Sequence, residues 1–427
     1  MTHFAAVMPP LYSHLRAFEA IAWQLISRGH RVTILQQADV RPMLSLAQVG
    51  FDAIGAASHP PGSLAAVIRR AARPGGLFGL RRVIADMASA TDMFCREAPA
   101  RLRELKVDAV LVDQMEPGGA LVAEHLGLPF VSIACALPFN REPQVPLPVM
   151  PWRYRTTAWG LQLNRHSSAV HDRLMRPHEE MIRHHCRAFG LEPRQGIGDC
   201  LSPLLQLSQT VAGFDFPRRE LPRHFHAVGP LRLQANPDDA LDLSFAAARP
   251  FVYASLGTLQ GHRFSLFRRI ALACRRLDMP LLISHCGGLT AQEVARLTRD
   301  GASLVTDFVP QREALAQAAV VITHAGLNTV LDALEVGTPM LALPIAFDQP
   351  GVAARIEHAG VGLRMNHRLA SPGRIGNALK RLLREPAFGR RAARLGEEVR
   401  CAGGAERAAV LIEAAILGRM PEVAVAG

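Results

Sequence analysis

Residues 320–332 read VVITHAGLNTVLD, and this stretch decides the fold. Residues 320–323 predict a short buried strand, because all four are apolar or β-branched. Gly326 ends the run, and the residues after it predict a helix that either Asn328 or Thr329 can cap. Such a turn is a natural pyrophosphate site, since the free N–H groups and the dipole of a helix start both favour anions.

Strands and helices alternate in the same way along most of the chain. Strands are predicted at 3–8, 31–35, 107–112 and 129–134, and again at 251–255, 280–284, 303–307, 320–323 and 340–343. Helices are predicted between them, among others at 15–25, 118–125 and 264–277. This alternation favours parallel sheets with helices on both faces. The sequence therefore predicts an α/β protein with two doubly wound, Rossmann-like domains and a ligand cleft between them.

A turn-rich segment separates the two sets of strands. Residues 229–250 show little periodicity, which is typical of a linker. We predict a first domain at 1–228, a linker at 229–249 and a second domain at 250–427. The sequence leaves open whether the C-terminal segment, 405–427, packs back on the first domain.

Composition limits the classes of function. The seven cysteines are scattered and form no CxxC pair, so no disulfide framework or zinc site is indicated, and a reducing cytoplasm fits best. No apolar run approaches the roughly 18 residues of a spanning helix, and no secretory signal precedes the first strand. The net charge is +11, but no RNA-binding or helix-turn-helix signature accompanies it. Weak attraction to an anionic membrane surface therefore fits better than nucleic-acid binding.

The stretch from Phe308 to Gln349 surrounds the strand–turn–helix unit with further polar residues. It resembles the donor-binding signature of the UDP-sugar-dependent family 1 glycosyltransferases, which have the GT-B fold. The resemblance implies that a UDP-sugar is the donor and that the enzyme works without a metal or another cofactor. Helix dipole and side-chain donors can stabilise a diphosphate in place of a metal.

The resemblance assigns roles to the nucleoside and phosphate ends of the signature. Phe308 stands where plant members usually have Trp and would stack on uracil. Gln311, in a Pro-Gln pair, would contact the nucleoside. His324, Asn328 and Thr329 match the phosphate-binding residues, with Thr in place of the commoner Ser.

The remaining positions concern the ribose, the sugar and the phosphate loop. Asp332 stands where the family usually has the Glu that binds the ribose, and it shares a helix face with Asn328. Asp348 and Gln349 match the pair that holds the sugar hydroxyls. Thr258 follows a Ser-Leu-Gly segment that resembles the family's Ser-Phe-Gly-Ser loop and would touch the phosphates, although a plain strand-to-helix turn explains that glycine equally well.

The first domain offers a candidate general base. An alcohol that attacks an anomeric carbon must lose its proton, and a histidine can accept it near neutral pH. His14 follows the first strand, and Asp113 ends the strand 107–112, so Asp113 would orient the imidazole and stabilise its protonated form. The alternative is that both residues only cap helices. The resemblance favours catalysis, because family members carry their catalytic His in a Gly-His pair here, where this chain has Ser13-His14.

The acceptor is harder to predict than the donor. Residues 9–14 and 138–142 resemble bacterial members of the family that glucosylate the terminal ring hydroxyls of a carotenoid. This resemblance implies an inverting transfer of glucose from UDP-glucose to an apolar, hydroxylated acceptor. Three alternatives stay open: another acceptor such as a macrolide, sterol or phenol, a UDP-sugar epimerase, and a UDP-sugar sensor without catalysis.

A carotenoid resides in the bilayer, so peripheral contact at the inner face of the membrane is expected. The stretch 143–193 has little regular periodicity and contains Trp152, Tyr154 and Trp159 among several arginines. It is either an acceptor-binding or membrane-facing insertion, or an ordinary amphipathic helix whose arginines extend into solvent.

Overall fold

The computed structural model describes residues 1–233 and 249–418. Most of the predicted linker and the last nine residues of the C-terminal segment therefore lie outside the described residues. Within the described ranges, no helix is long and apolar enough to span a bilayer.

Seven parallel strands form the sheet of the first domain. They are β1 (His3–Val7), β2 (Arg31–Gln36), β3 (Gly50–Ala53), β4 (Ala109–Asp113), β5 (Phe130–Ala134), β6 (Gln206–Ser208) and β7 (Phe225–Ala227). Their order is β3-β2-β1-β4-β5-β6-β7. The helices are α1 (Tyr12–Ser27), α2 (Leu64–Ala72), α3 (Gly76–Glu104), α4 (Pro117–His125) and α5 (Ala158–Phe189). Every residue of β1, β4 and β5 is buried, as expected of parallel strands covered on both faces.

Six parallel strands form the sheet of the second domain. They are β8 (Phe251–Ser255), β9 (Leu281–Ser284), β10 (Leu304–Thr306), β11 (Ala318–Thr323), β12 (Met340–Ala342) and β13 (Gly362–Arg364), in the order β10-β9-β8-β11-β12-β13. The helices are α6 (Gly257–Gln260), α7 (Phe264–Arg276), α8 (Ala291–Asp300), α9 (Gln311–Gln317), α10 (Leu327–Val336), α11 (Gln349–Ala359), α12 (Pro372–Arg384), α13 (Ala387–Cys401) and α14 (Gly404–Leu417).

Both sheets have a switch point at their centre. In the first sheet the order runs outward from β1 to β2 on one side and to β4 on the other; in the second it runs from β8 to β9 and to β11. The predicted pair of doubly wound parallel sheets is confirmed. In such sheets the loops at the carboxyl ends of the central strands diverge and leave a crevice for ligands.

Of the two interpretations of residues 143–193, the structure supports the helical one over most of the stretch. It has a 32-residue helix, α5, from Ala158 to Phe189. Its buried face includes Asn164, His178 and His185, so an apolar stripe at helical spacing is largely missing. Strands β3, β6, β7 and β13 have three or four residues each and were not predicted, because such short runs carry almost no pattern.

The C-terminal helix α14 packs against α1 of the first domain. Ala405, Ala408 and Ile412 are buried in the same apolar cluster as the α1 side chains. At its outer end, Glu413 accepts a hydrogen bond from His30 at 2.9 Å.

A buried ion pair also joins the two domains. Arg355 on α11 is fully buried, and its Nε donates to Oδ1 of Asp215 in the first domain at 2.6 Å. Arg218 donates to the other oxygen of Asp215 at 2.9 Å, and the Arg355 guanidinium lies 4.2 Å from the centre of the Phe216 ring. Burial raises the pKa of Asp215, but Arg355 and Arg218 more than offset it, so the net pKa is lowered and the carboxylate is ionised.

Candidate active site

The two domains enclose a cavity of about 1830 Å³ at the carboxyl ends of their strands. Ten of the twelve predicted site residues line it: His14, Thr258, Phe308, Gln311, His324, Gly326, Asn328, Thr329, Asp348 and Gln349. The other two, Asp113 and Asp332, lie behind this lining and contact residues that belong to it.

His14 and Asp113 meet at the edge of the first sheet. Strands β1 and β4 are neighbours in parallel register, so the residues that follow their carboxyl ends come together. Nδ1 of His14 lies 2.7 Å from Oδ2 of Asp113, which is fully buried. The other carboxylate oxygen accepts the backbone N–H of Met115 at 2.8 Å. Because an ionised Asp113 only accepts, Nδ1 carries the proton, and Nε2 is the nitrogen that can act as a base.

Several charges set the pKa of His14. Burial lowers it, whereas the charge and hydrogen bond of Asp113, together with the charge of Asp348, raise it, and the net pKa is raised above 6.5. Asp348 belongs to the second domain, so the base is sensitive to how the domains meet.

Cys135 completes a compact cluster with His14 and Asp113. Among the described residues, these three form the group whose potential metal-ligand atoms all lie within 4.8 Å of one another. Burial, followed by the Asp113 charge, raises the pKa of the Cys135 thiol well above its usual range, so the sulfur stays protonated. Nδ1 of His14 and Oδ2 of Asp113 are already engaged with each other, so the two side chains are arranged as a hydrogen-bonded pair. The geometry therefore favours a base with its orienting carboxylate.

His324 lies between two glycines at the end of β11. A Cβ atom on Gly326 would lie 2.5 Å from its Nε2, and one on Gly257, where φ is +69°, would lie 2.6 Å from its Cε1. Burial lowers the pKa of His324 to about 4. The imidazole is therefore neutral at physiological pH and offers a hydrogen bond, not a positive charge.

Helix α10 begins directly after Gly326. Its first-turn N–H groups, at Leu327, Asn328 and Thr329, have no partner within the helix and lie at the cavity wall. Thr258, in the short helix α6 directly after β8, is exposed at the same wall. Because β8 and β11 are adjacent, the segments that follow them converge on one point, which suits a diphosphate.

Gln311 and Arg232, both partly buried, contact the buried Asp332 from two sides. The Gln311 amide donates to Oδ2 of Asp332 and accepts the hydroxyl of Thr329 at 3.2 Å. Arg232, just before the end of the described first segment, forms an ion pair with Oδ1 of Asp332 and another with Glu335 at 2.9 Å. Asp332 is only 5% exposed, and burial raises its pKa despite Arg232 and Gln311. Sequence analysis did not identify Arg232, which has no local pattern around it.

Asn328 connects the donor side to the first domain. Its Oδ1 accepts from Nε2 of Gln209 at 2.8 Å, and the same Nε2 donates to the carbonyl of Cys135. Gln209 follows β6, and its side chain connects the segment beside His14 and Asp113 to the start of α10 in the second domain. Sequence reasoning missed it, because nothing local marks a glutamine after a three-residue strand.

The residues predicted to bind the sugar and the nucleobase also line the cavity. Gln349 accepts the N–H groups of Ile345 and Ala346, both at 2.9 Å, which fixes the loop before Asp348. The predicted uracil-stacking residue, Phe308, is 65% exposed although its ring is large. An exposed aromatic ring at a cavity margin is typical of a stacking platform.

The first-domain wall of the cavity is mostly apolar. It is lined by Met43, Leu64, Ile68, Leu80, Val83, Ile84, Met87, Leu174 and Met175, which come from α2, α3, α5 and the segment after β2. This wall suits an apolar acceptor, whereas the opposite wall carries the anion-binding turn.

Comparison with known proteins defines the family. The family described as UDP-glucoronosyl and UDP-glucosyl transferase matches residues 198–398. A zeaxanthin glucosyltransferase of Pantoea ananas is 47% identical over 100% of this chain and 99% of its own length. A zeaxanthin glucosyltransferase of Pseudescherichia vulneris is 46% identical over 98% and 99% of the two chains. This chain belongs to the UDP-glucoronosyl and UDP-glucosyl transferase family.

Solved structures of glycosyltransferases share the fold. The glycotransferase of kitacinnamycin aligns over 97% of this chain and 99% of its own, with a TM-score of 0.74 and 22% identity. The calicheamicin glycosyltransferase CalG4 aligns over 99% of both chains, with a TM-score of 0.71 and 20% identity. The predicted GT-B fold is confirmed, and the protein is a UDP-sugar glycosyltransferase. Of the enzyme classes that the sequence left open, transferase is the one that these comparisons support.

Replacement of Gly326 by alanine tests whether the position of the His324 imidazole matters for UDP binding. The new Cβ displaces the imidazole from beside the helix start, so we expect roughly tenfold weaker binding of UDP, the cost of about one hydrogen bond to a charged group. Isothermal titration calorimetry with UDP measures the effect. Gly389→Ala is the matched control, because a Cβ there meets nothing within 4 Å. Equal UDP affinity in both variants would show that the position of His324 is irrelevant to the phosphates.

Proposed function

We propose that the protein transfers glucose from UDP-glucose to a terminal ring hydroxyl of zeaxanthin, with inversion at the anomeric carbon. One observation carries the proposal: the buried His14–Asp113 pair opens into a cavity with an apolar wall on one side and the helix start of α10 on the other. The acceptor is taken from the two relatives at 47% and 46% identity.

His14 acts as the general base in this proposal. Asp113 holds Nδ1–H, so Nε2 receives the proton of the acceptor hydroxyl while its oxygen attacks the anomeric carbon. The bond from that carbon to the diphosphate oxygen breaks on the opposite face in the same step. Asp113 then stabilises the imidazolium. The product is a β-glucoside if the donor is the usual α-linked UDP-glucose.

The diphosphate that leaves is stabilised by the second domain. The N–H groups at the start of α10, the neutral His324 and the Thr258 hydroxyl supply hydrogen bonds to the oxygen atoms that gain charge. We propose that these groups replace a metal ion. Asp348 and Gln349 hold the glucose hydroxyls, and Phe308 stacks on uracil.

Asp332 contributes to nucleoside binding through Gln311. Its carboxylate forms an ion pair with Arg232 and accepts a hydrogen bond from Nε2 of Gln311. Oε1 of Gln311 accepts a hydrogen bond from the Thr329 hydroxyl. In this arrangement Asp332 fixes the rotamer of Gln311, and Gln311 presents the ribose-binding surface. Arg232 is thus a positioning residue that connects the segment between the domains to the donor site.

The proposed activity is tested by UDP release from UDP-glucose with zeaxanthin in detergent micelles. We expect acceptor-dependent release, and a reduction of roughly 10²–10⁴-fold in kcat for His14→Ala, because that is the usual contribution of a general base. Donor-only reactions measure hydrolysis. If UDP-glucose binds but zeaxanthin causes no release of UDP, zeaxanthin is rejected as the acceptor. A product with retained anomeric configuration would reject the mechanism.

The pH dependence tests the role of Asp113. The base must be neutral, and its pKa is raised, so kcat/KM should rise with pH through a midpoint above 6.5. Burial lowers the pKa of His14, and Asp113→Asn leaves that burial and the Asp348 charge in place while it removes the Asp113 charge, the strongest of the interactions that raise this pKa. We therefore expect the midpoint to move to lower pH while kcat falls at every pH. An unchanged midpoint would exclude the contact with Asp113 as its cause.

Substitution of Arg232 tests the chain to Gln311. Arg232→Ala should raise the KM for UDP-glucose about tenfold with little change in kcat, because the nucleoside is bound equally in the ground and transition states. Steady-state kinetics at saturating acceptor separate the two parameters. Arg312→Ala is the matched control, since Arg312 pairs with the same Glu335 at 2.6 Å but not with Asp332. Equal KM values in the two variants would contradict the proposal.

A further inference from the structure

The segment 54–85 is the most one-sidedly basic part of the first domain. It contains five arginines, at 69, 70, 73, 81 and 82, and no aspartate or glutamate. It forms α2, a short connection and the first turns of α3, which we call the α2–α3 elbow (Leu64–Ala85). Only Arg70 has an acidic partner among the described residues, Asp86 at 2.7 Å. The other four arginines are exposed and unpaired within the described part of the chain.

The two faces of α3 at the elbow have opposite character. Leu80, Val83, Ile84 and Met87 follow helical spacing and line the acceptor wall of the cavity. Phe78, Arg81, Arg82 and Ala85 follow the same spacing and face solvent. Phe78 is 78% exposed, which is unusual for a ring of that size in a soluble domain. The helix is therefore a thin partition between the acceptor cavity and an arginine-rich outer surface.

Two arginines of the second domain lie near this surface, since α6, just before Arg263, contacts α2. Burial, followed by the charges of Arg73 and Arg368, lowers the pKa of Arg263, so each of these two arginines lies within electrostatic reach of Arg263. Arg263 has Gln260 as its side-chain partner, and Arg368 forms no ion pair within residues 1–233 and 249–418. Both domains thus present uncompensated positive charge at the elbow.

We propose that the α2–α3 elbow docks on the anionic surface of a phospholipid bilayer, with Phe78 inserted among the headgroups, and that the acceptor enters the cavity beside it. Arginines attract anionic headgroups and an exposed aromatic ring enters the interface, so together they give the two signals that reversible attachment needs. The inference rests on the proposed function, because an acceptor that resides in the bilayer has to reach the cavity from the membrane.

The aromatic stretch 152–159 is a weaker candidate for the same role. Tyr154 stacks on Phe216 at 5.6 Å between ring centres, and Arg153 pairs with Glu357 of the second domain at 2.9 Å, so both side chains already have partners within the protein. Trp159, at 60% exposure, is its one strongly exposed aromatic residue among those described. The sequence pointed to this stretch, whereas the charge and cavity geometry point to the elbow.

Co-sedimentation of the full chain with vesicles tests the proposal. Wild type should bind vesicles that contain phosphatidylglycerol, and should bind those of phosphatidylcholine alone only weakly. Arg81→Glu with Arg82→Glu should weaken binding by roughly thirtyfold or more, because each arginine near an anionic surface contributes about a fivefold gain. Phe78→Ser should weaken it on both kinds of vesicle. Binding of wild type should also fall as salt is added.

Two control variants and a second readout make the result specific. Arg384→Glu with Arg394→Glu changes the net charge equally on α12 and α13 and should bind like wild type, and so should Trp159→Ser. UDP release with zeaxanthin in micelles should be unchanged in the elbow variants, so loss of docking is separable from loss of the proposed activity. The proposal is overturned if the elbow variants bind vesicles like wild type, or if the charge controls lose binding to the same extent. It is also overturned if wild type does not bind anionic vesicles.

Discussion

The contact between Arg355 and Asp215 is the interaction on which the geometry of the cleft depends. Arg355 lies on the helix that starts with Gln349, and Asp215 belongs to the first domain. A fully buried guanidinium is tolerated only with its partner in place, because an unpaired buried charge costs several kcal/mol. The pair thus favours one arrangement of the domains. In that arrangement Asp348 lies close enough to His14 to raise its pKa.

The chemistry divides between the domains in a way that follows from parallel sheets. Each sheet gathers its polar groups at the carboxyl ends of its central strands, so in the proposed reaction one domain carries the base and the other the anion site. In that proposal, neutral His324 and the helix start stabilise the charge that develops on the diphosphate without attracting the base into an ion pair. The reacting atoms meet only at the boundary, where closure also excludes water that would hydrolyse the donor.

The sequence predicted the central strands, the doubly wound build and the donor signature, because each has a strong local pattern. Ten of the twelve predicted residues line one cavity. It left α5 undecided between an insertion and a helix, because the buried face of that helix contains polar residues, and it missed the three-residue strands β6 and β7. Arg232, Gln209 and Arg355 also lacked a signal. Their partners lie about 100 or more residues away in the chain, and only the fold brings them together.

The contacts across the domain boundary have a consequence for exchanging parts between relatives. Gln209 with Asn328 and Asp215 with Arg355 each take one member from either domain. A chimera that joins the acceptor half of one transferase to the donor half of another inherits a single member of each pair unless both parents share them. Matching these positions before recombination is therefore a design rule for enzymes of altered acceptor range. A junction placed in the segment between the domains should also keep Arg232 together with its partner Asp332.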